Sequence, residues 1–199
     1  TFFLGACINK IFFVPLCAFC MKIIGFIYYQ GGSEMILKGD SCLLNGGKPL
    51  FIPDWTTALG VTPCSIIRVS RMGKEIAPRF AHRYYDAIAP GMDFVAMDIL
   101  AQAQHDQRSW TKALAFDYSL ALGQWIAKEE WEKAQKDEQF SAEPIIRPEE
   151  AIAEVSKWMT IRQGDLIYIQ QAQPPRAVQM DEVITATING EQKLYCKIK

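Results

Sequence analysis

The sequence has little histidine and no excess of positive charge. Two of its 199 residues are histidines, and 21 Lys and Arg are set against 22 Asp and Glu, so the formal net charge is -1. The sequence pI is near 6.1, and no segment carries a stripe of Lys or Arg. A surface without a basic patch lacks the attraction that holds nucleic acid. We therefore expect no nucleic-acid partner.

Cysteine is present but forms no recognisable framework. The six cysteines are scattered, and only Cys17 and Cys20 have the C-x-x-C spacing of a redox or zinc pair. No second pair follows, and His82 and His105 lie far from this one in the sequence. Scattered cysteines are typical of reduced thiols, so we expect a cytoplasmic protein.

Residues 1–20 are apolar and aromatic but lack the features of a targeting segment. The stretch has no basic region in front of it and no clear small-residue cleavage site behind it. Lys10 and Pro15 interrupt it, whereas a membrane-spanning helix needs about 20 predominantly apolar residues. Met21 then opens a run typical of a protein start. We expect residues 1–20 to be an extension that is not native, with a membrane anchor as the alternative, and residues 21–199 to form one domain.

From Met21 onward, short runs of β-branched and aromatic residues predict strands bounded by turn residues. Asn189-Gly190 favours a type I′ turn between the last two strands. The Asn45-Gly46-Gly47 turn favours a hairpin over Ser41–Ile52. The other predicted strands are Lys22–Tyr29, Glu34–Lys38, Ser65–Ser70, Gly91–Phe94, Asp165–Ile169, Glu182–Ile188 and Lys193–Ile198.

Helices are predicted between these strands. Apolar residues at four-residue spacing favour a helix over Pro78–Ala89. Proline followed by two glutamates is typical of a helix start and predicts a helix over Glu149–Met159. Val95–Gln104 and Trp125–Glu138 are the remaining predicted helices. The expected fold class is therefore mixed α/β and dominated by strands.

Five motifs occur in order along the chain. They are Ile36–Lys38, similar to Phe-x-Lys; Ser70–Lys74 at a strand end; Arg79–Ile88 with Gly91–Asp98, similar to a helix leading into Asp-x-x-Ala-Arg-Asp; Phe116–Trp125, similar to Gly-Phe-Asp…Leu-Gly-x-Trp; and Thr160–Tyr168, similar to Leu-x-x-Gly-Asp-Leu-Ile-Tyr. Together they resemble the fumarylacetoacetate hydrolase family, especially its small single-domain bacterial members. The resemblance covers most of residues 21–199. It implies the β-roll or sandwich, with a few helices, of that family's C-terminal domain.

The resemblance also implies a chemistry. Family members cleave carbon–carbon bonds in acylpyruvate-type diketo acids, or isomerise or decarboxylate related compounds, and they form homodimers. They use magnesium or manganese, held by a Glu-x-Glu pair and an Asp. Hard dications bind anionic oxygens, and the metal stabilises the enolate that forms as the bond breaks.

Carried over residue by residue, the metal positions of the family fall on Thr62, Cys64 and Asp93. Only Asp93 is a carboxylate, and one carboxylate supplies too little charge for magnesium. Asp93 has two interpretations: a remnant metal ligand, or a structural aspartate that bonds to backbone at a strand end. The sequence favours the second.

The substrate positions implied by the resemblance are mostly lost as well. Lys38 is retained, but Met97, Leu100 and Leu114 stand where the family has Arg, Gln and Lys. The Thr-Gly-Thr-Pro loop that binds the substrate carboxylate is replaced by Ile169-Gln-Gln-Ala172.

No catalytic residue is predicted. The catalytic His–Glu region of the family has no counterpart, and Glu34 is the only carboxylate between Phe26 and Met35. Without metal ligands, clamp and base, we expect a non-catalytic homodimeric scaffold or ligand binder that needs no cofactor. An active magnesium or manganese enzyme with a site rebuilt around Asp93 is the main alternative, and a sequence not under selection is another.

Overall fold

The structure is a computed structural model that describes residues 21–29, 32–136, 140 and 143–199. The described chain is a strand-dominated mixture of strands and helices, which confirms the expected fold class. Residues 1–20, with the Cys17/Cys20 pair, lie outside the described residues. The strands are β1 Ile23–Tyr29, β2 Gly32–Lys38, β3 Leu43–Leu44, β4 Leu59–Val69, β5 Tyr85–Ala96, β6 Leu120–Leu122, β7 Ile126–Ala127, β8 Leu166–Gln170, β9 Arg176–Ala177, β10 Val183–Ile188 and β11 Glu191–Lys197. The helices are α1 Pro78–Ala81, α2 Met97–His105, α3 Thr111–Leu114, α4 Lys128–Lys133 and α5 Pro148–Trp158.

Nine of these strands form one twisted sheet of mixed direction. Its main order is β2-β1-β8-β4-β5-β6-β3, with β7 beside β5 and β9 beside β4. The long β4 and β5 pair antiparallel along their length, and β1 pairs parallel with β8. β10 and β11 form a separate hairpin. The centre of the sheet is therefore built from β1, β8, β4 and β5.

Both faces of the central strands are buried. Alternate residues of a strand point to opposite faces, so Val61 and Met92 join one apolar cluster while Cys64 and Val95 join another. α5 covers a third cluster, in which Ile152 and its neighbours pack on β4 and β8. Thr62 of β4 and Asp93 of β5 are consequently held away from water.

Several predicted elements are confirmed. β1, β2, β8, β10 and β11 lie where runs of β-branched and aromatic residues predicted strands. Asn189 and Gly190 both have positive φ, 54° and 78°, as a type I′ turn requires. α5 begins at Pro148 with Glu149 and Glu150 in its first turn, and α2 lies within two residues of its predicted bounds.

Three predictions from local pattern are wrong in whole or in part. The helix over Pro78–Ala89 ends at Ala81, and the chain enters β5 at Tyr85 because β4 offers it a full-length partner. The Ser41–Ile52 hairpin does not form, although Gly46 and Gly47 have the expected positive φ. Its two arms pair elsewhere, Leu43–Leu44 with β6 and Leu50 with Ile198. The predicted Trp125–Glu138 helix is reduced to α4 within the residues described up to Lys136.

Within the described part of the chain, no helix has the length and apolar character that crossing a membrane requires.

One close approach fixes the centre of the sheet. Gly25 of β1 is paired with Tyr168 of β8, and a Cβ on Gly25 would lie 2.1 Å from the Cζ atom of the Tyr168 ring. The ring therefore lies directly over the backbone of β1, a position that only a glycine permits. Gly39 provides a contrast, because nothing lies within 4 Å of the Cβ that it would carry.

We expect Gly25→Ala to lower the free energy of unfolding by about 1–3 kcal/mol, the usual cost of overpacking a core. In a protein that already carries Tyr168→Leu, Gly25→Ala should cost much less stability, because the ring atoms that the new Cβ meets are absent. Urea unfolding of both variants measures the effect, with Gly39→Ala as the matched control. Equal stabilities of Gly25→Ala and Gly39→Ala would contradict the described packing.

Candidate functional site

A buried ammonium group lies at the centre of the candidate site. Lys38 is the last residue of β2, and its side chain is fully buried. Its Nζ atom lies 2.5 Å from Asp93 Oδ1, 2.9 Å from Ser119 Oγ and 3.3 Å from the Ser119 carbonyl oxygen. An ammonium has three N–H donors, and these three acceptors satisfy all of them.

Asp93 lies in the middle of β5, and its side chain is also fully buried. Its second oxygen, Oδ2, accepts a hydrogen bond of 2.7 Å from Gln170 Nε2. Burial raises the pKa of the Asp93 carboxyl, and the charge and hydrogen bond of Lys38 act in the opposite direction. The expectation of a strand-end aspartate bonded to backbone is therefore wrong: Asp93 is a mid-strand residue bound by two side chains.

The two other residues at the metal positions of the resemblance lie beside Asp93. Thr62 is the cross-strand partner of Asp93, and Cys64 is the partner of Gly91, so both point to the same face of the sheet. Both are buried. Burial raises the pKa of the Cys64 thiol well above its usual value, with a further rise from Asp93 and an opposing effect of Lys38. The structure thus brings the three positions together.

β8 adds two residues that the sequence did not single out. Gln170 stands in the segment that replaces the Thr-Gly-Thr-Pro loop, and its amide reaches Asp93. The ring of Tyr168 lies 5.4 Å from Lys38 Nζ, and its buried hydroxyl faces Asp93 without a hydrogen bond of normal geometry. Burial raises the pKa of Tyr168 well above its usual value, and the negative charge of Asp93 adds to this rise. A glutamine in an otherwise apolar strand was the available signal.

These residues do not fit a magnesium or manganese ion. The three positions provide a hydroxyl, a protonated thiol and one carboxylate, and both oxygens of that carboxylate already accept hydrogen bonds. A hard dication needs several anionic or carbonyl oxygens, and an ammonium 2.5 Å from the only carboxylate repels it. In the described ranges, no three His, Cys, Asp or Glu side chains are grouped to hold a metal ion.

Apart from Lys38, the predicted substrate positions lie in one apolar cluster. Met97 and Leu100 of α2 and Leu114 of α3 pack beside Tyr168 and Trp110, in the cluster that also contains Cys64. Leu114 is buried, and Met97 covers the backbone of Gly60. Where the resemblance has Arg, Gln and Lys, this chain thus has apolar side chains that belong to one cluster.

Asp98, the last residue of the resembled Asp-x-x-Ala-Arg-Asp motif, has a structural role. Its carboxylate accepts hydrogen bonds from Thr56 Oγ1 at 2.6 Å and from the Thr57 backbone N–H at 2.8 Å. Slight desolvation raises the pKa of Asp98, but these hydrogen bonds outweigh it and lower the pKa to about 2. Asp98 therefore ties the start of α2 to the loop that precedes β4.

Glu34 lies on β2, away from the Lys38–Asp93 pair. Its side chain is exposed and lines an open cavity of about 440 Å³. Leu114 lines the same cavity, so one predicted substrate position and the only carboxylate between Phe26 and Met35 share a surface.

The buried pair yields a stability prediction. Lys38→Met should lower the free energy of unfolding by about 3–5 kcal/mol, because it leaves the Asp93 carboxylate buried without a counter-charge. Lys38→Met combined with Asp93→Asn should be much less costly, since no buried charge remains. Urea unfolding measures both, and Lys157→Met, which removes an exposed partner of Glu154, is the control. A cost for Lys38→Met no larger than that of the control would contradict the buried pair.

The chain is similar to known proteins over most of its length. Residues 29–198 match the model of the fumarylacetoacetate (FAA) hydrolase C-terminal family. Over 177 residues the chain is 23% identical to the mitochondrial oxaloacetate tautomerase FAHD1 of Rattus norvegicus and 22% identical to that of Bos taurus, covering 83% of this chain and 80% of each relative.

Solved structures show the same fold. A fumarylacetoacetate hydrolase family protein from Yersinia pestis CO92 superposes with a TM-score of 0.77 at 16% identity, over 90% of this chain and 93% of that one. A fumarylpyruvate hydrolase from Pseudomonas aeruginosa, in complex with Mn²⁺ and pyruvate, gives a TM-score of 0.74 at 17% identity, over 90% of this chain and 88% of that one. The chain therefore belongs to the fumarylacetoacetate hydrolase C-terminal family.

Proposed function

We propose that this chain is a family member without metal-dependent carbon–carbon hydrolase activity, and that it serves as a non-catalytic ligand binder or scaffold. The observation that carries the proposal is the Lys38–Asp93 pair. The ammonium of Lys38 donates to Asp93, the one carboxylate that remains at the metal positions, and its other two contacts are with oxygens of Ser119. The cation at this carboxylate is part of the chain itself.

Charge balance supports this proposal. The resemblance implies a site in which three carboxylates hold a dication. Here two of the carboxylates are replaced by Thr62 and Cys64, and Lys38 alone neutralises Asp93. Loss of two negative charges together with a dication leaves the buried site neutral, as burial of charge requires.

The surroundings support it further. Met97, Leu100 and Leu114 offer no positive charge to a diketo acid. No histidine of the described chain belongs to the site, because His82 and His105 are both exposed on other segments. A general base contributes about 10²–10⁴-fold to a rate, so its absence adds to the loss of the metal.

The alternative is an enzyme with a site rebuilt around Asp93. The buried Tyr168 hydroxyl, which faces Asp93 without a hydrogen bond of normal geometry, is the feature that favours it. Against it, the side chains of Lys38 and Asp93 are both fully buried, so a substrate reaches them only if the sheet opens. The non-catalytic function is the better supported of the two.

Thermal unfolding of the full chain with Mg²⁺ or Mn²⁺ and oxalate, a mimic of the pyruvate enolate, tests the proposal. A ligand at 100 times its Kd stabilises a fold by about 2.7 kcal/mol, which raises the melting temperature by several degrees. We expect no shift for this chain, and no hydrolysis of acylpyruvates. A metal-dependent rise that Asp93→Ala abolishes would contradict the proposal.

The control for this experiment restores the missing charges. Thr62→Glu with Cys64→Glu places two carboxylates beside Asp93. Together with the ammonium of Lys38, the three carboxylates carry two net negative charges, which a dication neutralises. This variant should be less stable without metal, because its carboxylates are buried, and should recover stability with Mn²⁺. Its response shows that the assay detects a metal at this place in the fold.

We also propose a homodimer, as the resemblance implies. Large apolar side chains lie exposed on the described surface, among them Phe51, Met72 and Met180 at 66%, 69% and 62%. Phenylalanine and methionine are among the residue types that are enriched at interfaces between proteins. Sedimentation velocity of the full chain should give about twice the chain mass of 22.5 kDa. A species of single-chain mass at micromolar concentration would contradict the dimer.

A further inference from the structure

An open cavity of about 440 Å³ lies between strands β1 and β2 on one side and residues 108–114 on the other. Strands β1 and β2 contribute Ile27, Glu34 and Ile36 to its lining, and the segment that enters α3 contributes Arg108, Trp110 and Leu114. Its volume is within the range of small-molecule sites, which are mostly apolar with a few placed polar groups. The Lys38–Asp93 pair is not part of this lining.

The floor of the cavity is apolar and held in place. Ile27, Leu114, Ile36 and Trp110 belong to one apolar cluster. The Trp110 ring lies 4.6 Å from the ring of Tyr29, centroid to centroid, at 58°. An aromatic surface fixed in this way presents a rigid contact face to a ligand. Leu114 stands where the resembled family has a lysine, so this floor favours an apolar group over a carboxylate.

Two opposite charges lie at the same cavity. Glu34 makes no ion pair with any described residue. The Arg108 side chain is 79% exposed, and its nearest carboxylate oxygen, on Asp106, lies 4.0 Å from Nε. That carboxylate already accepts hydrogen bonds from Gln102 and His105. Glu34 and Arg108 are thus both available to a ligand.

We propose that this cavity binds a free amino acid with an apolar side chain. The ammonium of the ligand pairs with Glu34, its carboxylate with the planar guanidinium of Arg108, and its side chain lies on Trp110 and Leu114. A dicarboxylate is disfavoured, since Glu34 repels its second charge. This inference rests on the proposed ligand-binding function and names the class of its ligand.

Isothermal titration of the full chain with L-phenylalanine and L-leucine, in EDTA, tests the proposal. Phenethylamine, which lacks the carboxylate, and 3-phenylpropionate, which lacks the ammonium, are the comparison ligands. We expect both amino acids to bind, and each comparison ligand to bind at least about tenfold more weakly than phenylalanine, as loss of one charged hydrogen bond predicts.

Variants assign the charges. Glu34→Gln and Arg108→Gln should each weaken phenylalanine binding about tenfold or more, while the exposed-arginine control Arg162→Gln leaves it unchanged. Glu34→Gln should not weaken the binding of 3-phenylpropionate, which has no ammonium for Glu34 to pair with. Arg108→Gln should not weaken the binding of phenethylamine, which has no carboxylate for Arg108. Unchanged melting temperatures of the variants show that they fold.

The weakest binding expected has a Kd of about 1 mM. If neither amino acid binds at a tenfold higher concentration, the proposal is overturned. Equal effects of Glu34→Gln on phenylalanine and 3-phenylpropionate would overturn it as well. Because EDTA removes free metal, this failure is separate from the metal–oxalate result, which alone decides whether the family chemistry is lost.

Discussion

Neutrality of charge at the centre of the sheet is the constraint on which the site depends. Lys38 and Asp93 come from different strands, and neither side chain reaches water. An isolated charge in such a place is so costly that it must be paired or lost. The pair, the Ser119 oxygens and the Gln170 amide together satisfy the ammonium and both carboxylate oxygens. The fold tolerates this buried ion pair because its ammonium and its carboxylate both have hydrogen-bond partners.

This constraint links the site to the packing around it. Gln170 and Tyr168 are alternate residues of β8, so both point to the face that carries Asp93. The Tyr168 ring has room only because β1 has glycine at position 25. An aromatic ring and an amide therefore fill the space next to Asp93. Apolar packing and charge pairing at this place are two parts of one arrangement.

The sequence predicted elements whose signals are local and missed those decided by distant partners. The Asn189-Gly190 turn and α5 were predicted correctly because their residues encode their own geometry. Pro78–Ala89 was assigned to a helix because its apolar spacing fits one, but β4 determines the outcome. The Gly46-Gly47 turn was also read correctly, whereas the partners of its arms lie far along the chain.

The site shows the same division. Ordered motifs were enough to place Thr62, Cys64 and Asp93 together. The pairing of Lys38 with Asp93 spans 55 residues, and that of Gln170 with Asp93 spans 77, so no local pattern reveals either one. The cavity between β2 and the segment before α3 joins parts of the chain that are equally separate. Motif spacing in the sequence identified the positions where metal ligands are missing. Only the tertiary structure shows that Lys38 and Gln170 bind Asp93 instead.

The parallel pairing of β1 with β8 has a consequence for biosynthesis. β1 lies between β2 and β8 in the sheet, yet most of the chain separates it from β8. On the ribosome, β1 and β2 are made early, and the second edge of β1 stays open until β8 emerges. An apolar strand with an open edge pairs readily with other chains. The nascent protein therefore depends on being shielded, by chaperones or by rapid completion, for longer than a fold with local strand pairing.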